Sequence, residues 1–327
     1  MFSIQDKDYV YIPLQYNMSW VGKKDKLNES LLKKDFLSEL NLFIETGTIY
    51  IWDFNNLDSI NDRGFAELFK DIIKRKSTII LANVQSKSVL DNEIRYEIVS
   101  YSNKSKELFS NEGMENYLLG TECMFEFGKD TIQKIKVNYL NKVINEFCIE
   151  TKYQYLVSSG VYSNMQINMK NLFYHPKEFE YIVYLLWNNM QIENIQGIIA
   201  TSKNGVAFAS VLGEILGYDV LYFNIGQMFE ETYNCSPRVI NGGRYIHVYD
   251  VICLGSETKV LNALVNSQGG QVVKSVGCVC LLDLDIVAKK NRYSVMKHVV
   301  CLLGQNELTK EYKIFLKEPE GEANGKI

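Results

Sequence analysis

The stretch Arg244–Thr258, RYIHVYDVICLGSET, decides the fold of the second half of the chain. Its apolar run, Tyr245–Val248, predicts a buried strand that carries Asp250 to its end. A short turn with Gly255 follows, and then a helix-like segment that stops at Gly269–Gly270. A carboxylate at a strand end accepts hydrogen bonds from sugar hydroxyls, and the free N–H groups of a helix N-terminus hold phosphate. The stretch therefore predicts a site for a sugar phosphate.

Composition narrows the class of protein. A chain of 327 residues with 46% hydrophobic content is long enough for two domains with cores of their own. A net charge of −4 argues against a basic surface, so direct binding of nucleic acid is not expected. No signal-type or membrane-spanning apolar run is present, and the seven cysteines show no metal-ligand spacing. We therefore expect a cytoplasmic protein that does not enter a membrane.

The pattern along the chain predicts an α/β fold with two domains. Residues 47–54 and 77–84 are strand-like, and 61–75 between them places its apolar residues on one helical face. A strand, a crossover helix and a strand in this order predict a parallel unit. The expected boundaries are an α/β domain at 1–120, a connection at 121–130, a second domain at 131–310 and a C-terminal tail at 311–327.

The first domain carries a short run after its first predicted strand, Ile60-Asn61-Asp62-Arg63-Gly64. With the strand and helix pattern of residues 9–120, this run resembles the STAS domains of sulfate transporters and anti-sigma-factor antagonists. In that family a Ser in the matching run can be phosphorylated to switch partner binding, and Arg63 stands at that position here. The resemblance implies a STAS-like domain that contacts a protein partner without this switch. An unrelated small α/β domain is the alternative.

Three stretches of the second half carry a further pattern. In chain order they are YLVSSGVYSNMQINMK at 155–170, GIIATSKNGVAFASVLGEIL at 197–216, and the stretch Arg244–Thr258 quoted above. Together they resemble the type I phosphoribosyltransferases, and the orotate branch in particular. The resemblance implies a parallel sheet flanked by helices, with a small hood over the base. Ser159, Gly160 and Ser163 match the hood motif, whereas Ser158 replaces a Lys that reaches the substrate in the family.

The resemblance also assigns roles to the two turns that follow predicted strands. Ser202, Lys203, Asn204 and Gly205 match the loop that holds pyrophosphate. Asp250 matches an acid that binds the ribose hydroxyls, while Tyr249 replaces a second one. The turn that matches the 5′-phosphate loop consists of Cys253, Leu254, Gly255, Ser256, Glu257 and Thr258.

Two departures from the family bear on activity. Glu257 stands where a small residue is usual, and a carboxylate there repels a phosphate unless it points away or a cation lies between them. The family's mobile loop carries several basic residues, but the matching stretch, 223–243, holds only Arg238. Arg238 is therefore the one candidate cation of that loop. Mg²⁺ is implied as a cofactor if phosphoribosyl pyrophosphate is bound, with no protein residue assigned as a direct ligand.

Three functions stay open at this point. The first is a phosphoribosyltransferase, a glycosyltransferase with an unusual substrate. The second is a non-catalytic sensor of a nucleotide or of phosphoribosyl pyrophosphate, with a regulatory or defence role and a protein partner on the STAS-like domain. The third is altered nucleotide chemistry such as glycosidic-bond cleavage, for which the sequence offers no clear catalytic group. A homodimer is a further expectation from the orotate branch.

Overall fold

The computed structural model describes residues 3–13, 48–55, 78–85, 106–111, 114–119, 125–156, 160–190, 194–225, 238–281 and 299–316. The chain divides into two compact units, Met1–Lys136 and Val137–Ile327. Within these described ranges, no helix combines the length and the apolar character that crossing a membrane requires.

The N-terminal unit contains one six-stranded sheet in the order β1-β2-β3-β4-β6-β5. Its strands are β1 (Ile4–Gln5), β2 (Val10–Pro13), β3 (Ile49–Asp53), β4 (Thr78–Gln85), β5 (Lys106–Asn111) and β6 (Met114–Leu119). Strands β2, β3 and β4 are parallel, and the others pair antiparallel at the two margins. The two strands predicted at 47–54 and 77–84 are thus confirmed as parallel neighbours. The predicted helix at 61–75 and Arg63 lie outside the described residues.

A buried carboxylate ends β3 in this sheet. Asp53 accepts hydrogen bonds from Tyr11 Oη at 2.6 Å and from Asn83 Nδ2 at 2.8 Å, and Lys136 Nζ lies 3.4 Å from its Oδ2. A buried charge is tolerated only where such partners replace its water. Residues from the two neighbouring strands, β2 and β4, and from the helix that follows the sheet are therefore tied to this one side chain.

The C-terminal unit is built on a five-stranded sheet in which every pair of neighbours is parallel, in the order β12-β11-β13-β14-β15. Its strands are β11 (Gly197–Ala200), β12 (Asp219–Tyr222), β13 (Arg244–Ile252), β14 (Gln271–Cys280) and β15 (Val299–Gly304). The longer described helices are α1 (Thr131–Val143), which contains the division between the units, α2 (Pro176–Met190), α3 (Lys203–Leu216) and α4 (Ser256–Ser267). The predicted α/β architecture with a parallel sheet is confirmed for this unit.

Two small antiparallel sheets accompany the parallel one. One joins β7 (Ile149–Glu150) to β10 (Gln166–Ile167), and the other has the order β16-β9-β8, with β8 at Gln154–Leu156, β9 at Val161–Ser163 and β16 at Ile314–Phe315. Strand β16 lies within the residues expected to form a tail, yet it pairs with β9. Tyr312 just before it is also buried. The ordered unit therefore extends past residue 310.

Candidate functional site

The parallel sheet has a topological switch point between β11 and β13. The chain leaves β11 toward β12 on one side of the sheet, and then returns to place β13, β14 and β15 on the other side. Helices that leave two neighbouring strands in opposite directions open a crevice at the carboxyl ends of those strands, and ligands bind there in open α/β sheets. A cavity of about 400 Å³ lies at this edge.

Most of the cavity lining comes from the end of β11, from β13 with the turn after it, and from the small sheets, and Leu281 and Tyr312 complete it. The lining residues are Gln154, Leu156, Met165, Gln166, Ile167, Thr201, Ser202, His247, Tyr249, Asp250, Val251, Ile252, Cys253, Gly255, Ser256, Glu257, Thr258, Leu281 and Tyr312. The strand-end residues that the sequence singles out thus meet one another in space.

Asp250 is held in a fixed orientation at the end of β13. Ser202 Oγ donates a hydrogen bond to its Oδ1 at 2.8 Å, and Asn204 Nδ2 donates to its Oδ2 at 3.0 Å. The Asp250 side chain is nearly buried but still faces the cavity. Because each carboxylate oxygen accepts about two hydrogen bonds, both oxygens keep capacity for the hydroxyls of a ligand.

The four residues matched to a pyrophosphate loop have different surroundings. Ser202 lines the cavity and caps α3, because its Oγ accepts the Gly205 N–H at 2.9 Å. Asn204 supports Asp250 rather than lining the cavity, and Lys203 is exposed outside it. A Cβ on Gly205 would lie 3.1 Å from the Val248 carbonyl oxygen, so this glycine lets α3 approach β13 closely.

The turn after β13 forms one wall of the cavity. Gly255 adopts a left-handed backbone with φ of 69°, and Ser256 begins α4. All six residues of the predicted phosphate turn line the cavity except Leu254, which is fully buried against Val161. The N-terminus of α4 presents backbone N–H groups at this wall, and such groups favour an anion.

Replacing Gly255 by alanine separates backbone strain from a role in binding. A non-glycine residue in the left-handed region costs about 1 kcal/mol or more. Gly217, which ends α3 with φ of 68° and has open space around its Cβ position, provides a matched control for that cost. We expect Gly255→Ala and Gly217→Ala to lower the free energy of unfolding by similar amounts. Only Gly255→Ala should also weaken nucleotide binding, by about tenfold, the effect of one hydrogen bond.

Glu257 projects into the same cavity and takes part in a chain of hydrogen bonds. Thr201 Oγ1 donates to Glu257 Oε2 at 3.3 Å and lies 3.1 Å from His247 Nε2. On the other side of the imidazole, His247 Nδ1 lies 3.2 Å from Ser275 Oγ. Since the Thr201 hydroxyl has one proton, which it gives to the carboxylate, His247 Nε2 must donate and Nδ1 must accept from Ser275. Every donor in the chain therefore points toward Glu257.

His247 contributes to this chain as a neutral imidazole. It is buried in the central strand β13, and this burial lowers its pKa to about 3. The ring therefore stays uncharged at neutral pH and acts as a fixed dipole rather than as an acid.

The low pKa of His247 also predicts a pH dependence of stability. An unfolded histidine takes up a proton near pH 6.5, whereas the folded one does so only near pH 3. The neutral His247 therefore contributes to the free energy of unfolding above about pH 6.5. This contribution is lost as the pH falls from 6.5 toward 3, by at most about 1.4 kcal/mol per pH unit. Urea unfolding at several pH values between 7 and 5 gives the free energy of unfolding as a function of pH. This free energy should fall less steeply with falling pH for His247→Gln than for the natural chain. Equal slopes would contradict a neutral buried His247, and His175→Gln serves as the control.

The charged side chains in the described lining of the cavity are acidic. Its described lining contains two carboxylates, Asp250 and Glu257, but no Lys or Arg. Arg238 is not brought to the cavity: it precedes Val239, whose N–H donates to Gln268 just after α4, at the edge where β13 begins. Arg244 lies at that same distant edge.

These residues are nevertheless suited to magnesium. No group of three or more metal-ligating His, Cys, Asp or Glu side chains occurs in the described part of the chain. Mg²⁺, however, is commonly held by one or two carboxylates together with substrate phosphates. Asp250, Glu257 and the hydroxyls of Thr201 and Ser202 are oxygen donors of that kind at one cavity. They fit an ion that arrives with a phosphorylated ligand.

Tyr249, which the resemblance aligned with a second ribose acid, has a packing role. Its ring is buried, it lies over Gly277 of the neighbouring strand, and its Oη donates to the Val300 carbonyl oxygen at 2.8 Å. Burial also raises its pKa, so the phenol stays neutral. At this end of β13, Tyr249 therefore contributes packing, and Asp250 contributes the carboxylate.

The two described residues of the predicted hood motif, Gly160 and Ser163, support the cavity rather than line it. Ser159 lies outside the described residues. Gly160, just before β9, donates its N–H to the Leu156 carbonyl oxygen at 2.7 Å, and the buried Ser163 hydroxyl donates to the Met165 carbonyl oxygen. Leu156 and Met165 themselves face the cavity.

Other lining residues were not identified from the sequence. Gln154 and Gln166 reach the cavity from the short strands β8 and β10, and Tyr312 comes from just before β16. Nothing local marks these residues. Thr201, by contrast, could have been found from its place at the end of β11, beside Ser202.

Comparison with known proteins gives structural neighbours only. No protein-family model and no curated protein matches the chain. Orotate phosphoribosyltransferase from Aeropyrum pernix is 18% identical with a TM-score of 0.41, over 51% of this chain and 95% of that one. The UMP synthase of Leishmania donovani is 19% identical with a TM-score of 0.43, over 55% of this chain and 37% of that one. The adenine phosphoribosyltransferase from Thermoanaerobacter pseudethanolicus is 22% identical with a TM-score of 0.36, over 43% of this chain and 88% of that one. Over about half of its length, the chain has orotate and adenine phosphoribosyltransferases as its structural neighbours.

Proposed function

We propose that the C-terminal unit binds a ribose 5′-phosphate group, as part of a nucleotide or of phosphoribosyl pyrophosphate. One observation carries this proposal: a carboxylate fixed by Ser202 and Asn204 shares a switch-point cavity with the turn into the α4 N-terminus. A sugar phosphate needs a hydroxyl acceptor and an anion site at one cavity, and these residues supply both. Asp250 would bind the ribose hydroxyls, and the turn Cys253–Thr258 would bind the 5′-phosphate.

Charge favours a nucleotide with a single phosphate over phosphoribosyl pyrophosphate. Two carboxylates at one cavity repel each added negative charge, and the effect is large where water is excluded. No Lys or Arg among the described lining residues offsets this repulsion. The sequence at 226–237 also contains no Lys, Arg or His. Pyrophosphate transfer needs such groups to stabilise the departing charge, so we infer binding without transfer.

Mg²⁺ would be needed only for the more highly charged ligand. With phosphoribosyl pyrophosphate, the ion would be held by the ligand's phosphate oxygens and by Glu257 or Asp250. When bound, it would supply positive charge against the pyrophosphate. For a nucleoside monophosphate, the backbone N–H groups at the start of α4 supply the anion site without the ion.

Isothermal titration tests the proposal directly. The natural chain is titrated with nucleoside 5′-monophosphates and, separately, with phosphoribosyl pyrophosphate and Mg²⁺, while pyrophosphate release is followed with a panel of bases. We expect binding of a monophosphate and no release. Release of pyrophosphate would identify a phosphoribosyltransferase and contradict the inference from charge. The absence of binding by every ligand would overturn the proposed site.

For the N-terminal unit, we propose a STAS-like regulatory domain that contacts a protein partner. The parallel β2-β3-β4 core with antiparallel margins supports a compact domain with a sheet of its own. Hydrogen–deuterium exchange over residues 1–136, with and without nucleotide, tests whether the unit responds to the ligand. Unchanged protection would argue against a sensor that works through this domain. Sedimentation equilibrium tests the homodimer that the orotate resemblance implies.

A further inference from the structure

We propose that Gln154 and Gln166 recognise the base of the bound nucleotide, and that this base is an uncharged nucleobase rather than orotate. The inference rests on the proposed ribose 5′-phosphate site and names the class of base that the site accepts. Such a base presents an N–H or NH₂ group beside a carbonyl oxygen or a ring nitrogen, as uracil, cytosine, adenine and guanine do. Orotate differs from uracil by an added carboxylate.

The two glutamines reach the cavity from the small antiparallel sheets. Gln154 begins β8, Gln166 begins β10, and both line the cavity. Because side chains alternate along a strand, Gln154 and Leu156 lie on the same face of β8, and Leu156 lines the cavity as well. Tyr155 between them is 52% exposed and lies outside the cavity. The alternation in β8 therefore sets Gln154 on the cavity side.

Local contacts place the two glutamines on neighbouring segments. Gln154 pairs with Ser163 across β8 and β9, and the Ser163 hydroxyl donates to the Met165 carbonyl oxygen. Gln166 follows Met165 directly and pairs with Glu150 across β10 and β7. The segment from β9 to β10 therefore links both glutamines to the same part of the lining.

Neither carboxamide is used to hold the fold. Within the described part of the chain, the side chains of Gln154 and Gln166 make no hydrogen bond or ion pair. Ser202 and Tyr312 of the same lining, in contrast, are hydrogen-bonded to other side chains. A carboxamide has two N–H donors and one carbonyl acceptor. The two glutamines therefore offer unused donors and acceptors to a ligand.

Apolar neighbours of the carboxamides suit the flat faces of a base. Leu156, Met165 and Ile167 also line the cavity. In ligand sites apolar side chains cover the faces of a ring, while a few polar groups fix its orientation. Leu156 also belongs to the apolar cluster around Leu254 of the phosphate turn, and Gln154 lies two residues, about 7 Å, further along the strand. Gln154 is thus offset from the phosphate turn, as the base of a nucleotide is offset from its phosphate.

A carboxamide and the edge of a nucleobase are complementary. The NH₂ and carbonyl groups of one Gln side chain match an edge in which a donor and an acceptor are adjacent, and Gln binds adenine in this way in protein–DNA complexes. Uracil, cytosine, adenine and guanine all have such an edge. Because rotation of a Gln side chain exchanges the positions of its oxygen and its NH₂, the pair accepts this class of base rather than one member of it.

Charge separates these bases from orotate. The orotate carboxylate is ionised at neutral pH, and a carboxylate that leaves water needs a partner that replaces its hydration. The described lining of the cavity contains no Lys or Arg. The orotate branch has a Lys that reaches the substrate, and Ser158 stands at that position here. An orotate base would therefore lose its hydration without a cation to replace it.

The test compares the affinity for ribose 5-phosphate with the affinity for whole nucleotides. Ribose 5-phosphate lacks only the base, so it provides the reference. The natural chain is titrated by calorimetry with ribose 5-phosphate, with the 5′-monophosphates of uridine, cytidine, adenosine and guanosine, and with orotidine 5′-monophosphate. We expect at least one of the four to bind about 10²-fold tighter than ribose 5-phosphate, since hydrogen bonds from two side chains contribute about tenfold each. Orotidine 5′-monophosphate should bind that site at least about tenfold more weakly than this nucleotide.

Gln154→Met and Gln166→Met test the two residues, because methionine keeps the length of the side chain and removes the carboxamide. Each should weaken nucleotide binding by about tenfold and leave the affinity for ribose 5-phosphate unchanged. The matched control is Gln271→Met. Gln271 is exposed at the start of β14, outside the cavity, so this variant should bind every ligand like the natural chain. Equal losses of affinity for ribose 5-phosphate and for the nucleotide would indicate a structural role and contradict recognition of the base.

The outcomes separate this inference from the proposed function. If nucleotides bound no tighter than ribose 5-phosphate, or if orotidine 5′-monophosphate bound tightest, the assignment of the base would be overturned and the ribose 5′-phosphate site would stand. Unchanged nucleotide affinity in both methionine variants would overturn it as well. If neither ribose 5-phosphate nor any nucleotide bound the natural chain, the proposed site itself would be wrong, and the recognition of the base with it.

Discussion

Gly277→Ala is expected to lower the free energy of unfolding of the C-terminal unit by about 3 kcal/mol, the upper end for overpacking of a core. A Cβ at residue 277 would overlap the ring of Tyr249. That ring cannot easily move aside, because it is buried and its Oη donates a hydrogen bond to the Val300 carbonyl oxygen. Urea unfolding followed by circular dichroism measures the loss.

A double-mutant cycle gives this prediction its control. Tyr249→Leu removes the ring atoms that a Cβ at 277 would meet. The cost of Gly277→Ala should therefore be smaller in the Tyr249→Leu background, with a coupling energy of about 1–3 kcal/mol. If the two unfolding free-energy changes were additive, a contact other than the one with Tyr249 would be the reason for a glycine at position 277.

Asp250→Asn is expected to weaken nucleotide binding by about 10²-fold. Hydrogen bonds to charged groups contribute about 1.5–3 kcal/mol each, and 1.4 kcal/mol corresponds to a factor of ten. The amide also places an NH₂ group where Ser202 or Asn204 now donates, so the orientation of the side chain is lost as well. Isothermal titration with a nucleoside 5′-monophosphate measures the change.

The matched control for this charge change is Asp219→Asn. Asp219 is exposed at the start of β12, at the opposite edge of the sheet, and its substitution should leave affinity unchanged. Unfolding measurements accompany the titration, because loss of a buried hydrogen-bond partner destabilises by about 1–3 kcal/mol. If Asp250→Asn bound as tightly as Asp219→Asn, Asp250 would not contact the ligand.

The local order of elements around the site follows from the sequence. The apolar run before Asp250, the turn at Gly255 and the apolar face after it predict β13, the turn and α4, and the structure contains them in that order. The same reasoning predicts β3 and β4 of the N-terminal unit as parallel neighbours. These features were predictable because strand periodicity, turn glycines and helix starts depend on residues close together in the chain.

The chemistry of the cavity, in contrast, depends on which distant segments become neighbours. The hydrogen bonds that join Glu257 to Thr201, His247 and Ser275 connect three parallel strands and the start of α4. No local sequence pattern predicts the register of these strands. The strand pairing likewise sets Tyr249 against Gly277. It also leaves Arg238 at the far edge of the sheet, although the sequence suggests a loop cation at the site. A charge or a dipole acts through distance in space, so a residue's role at this site is decided only when the sheet has assembled.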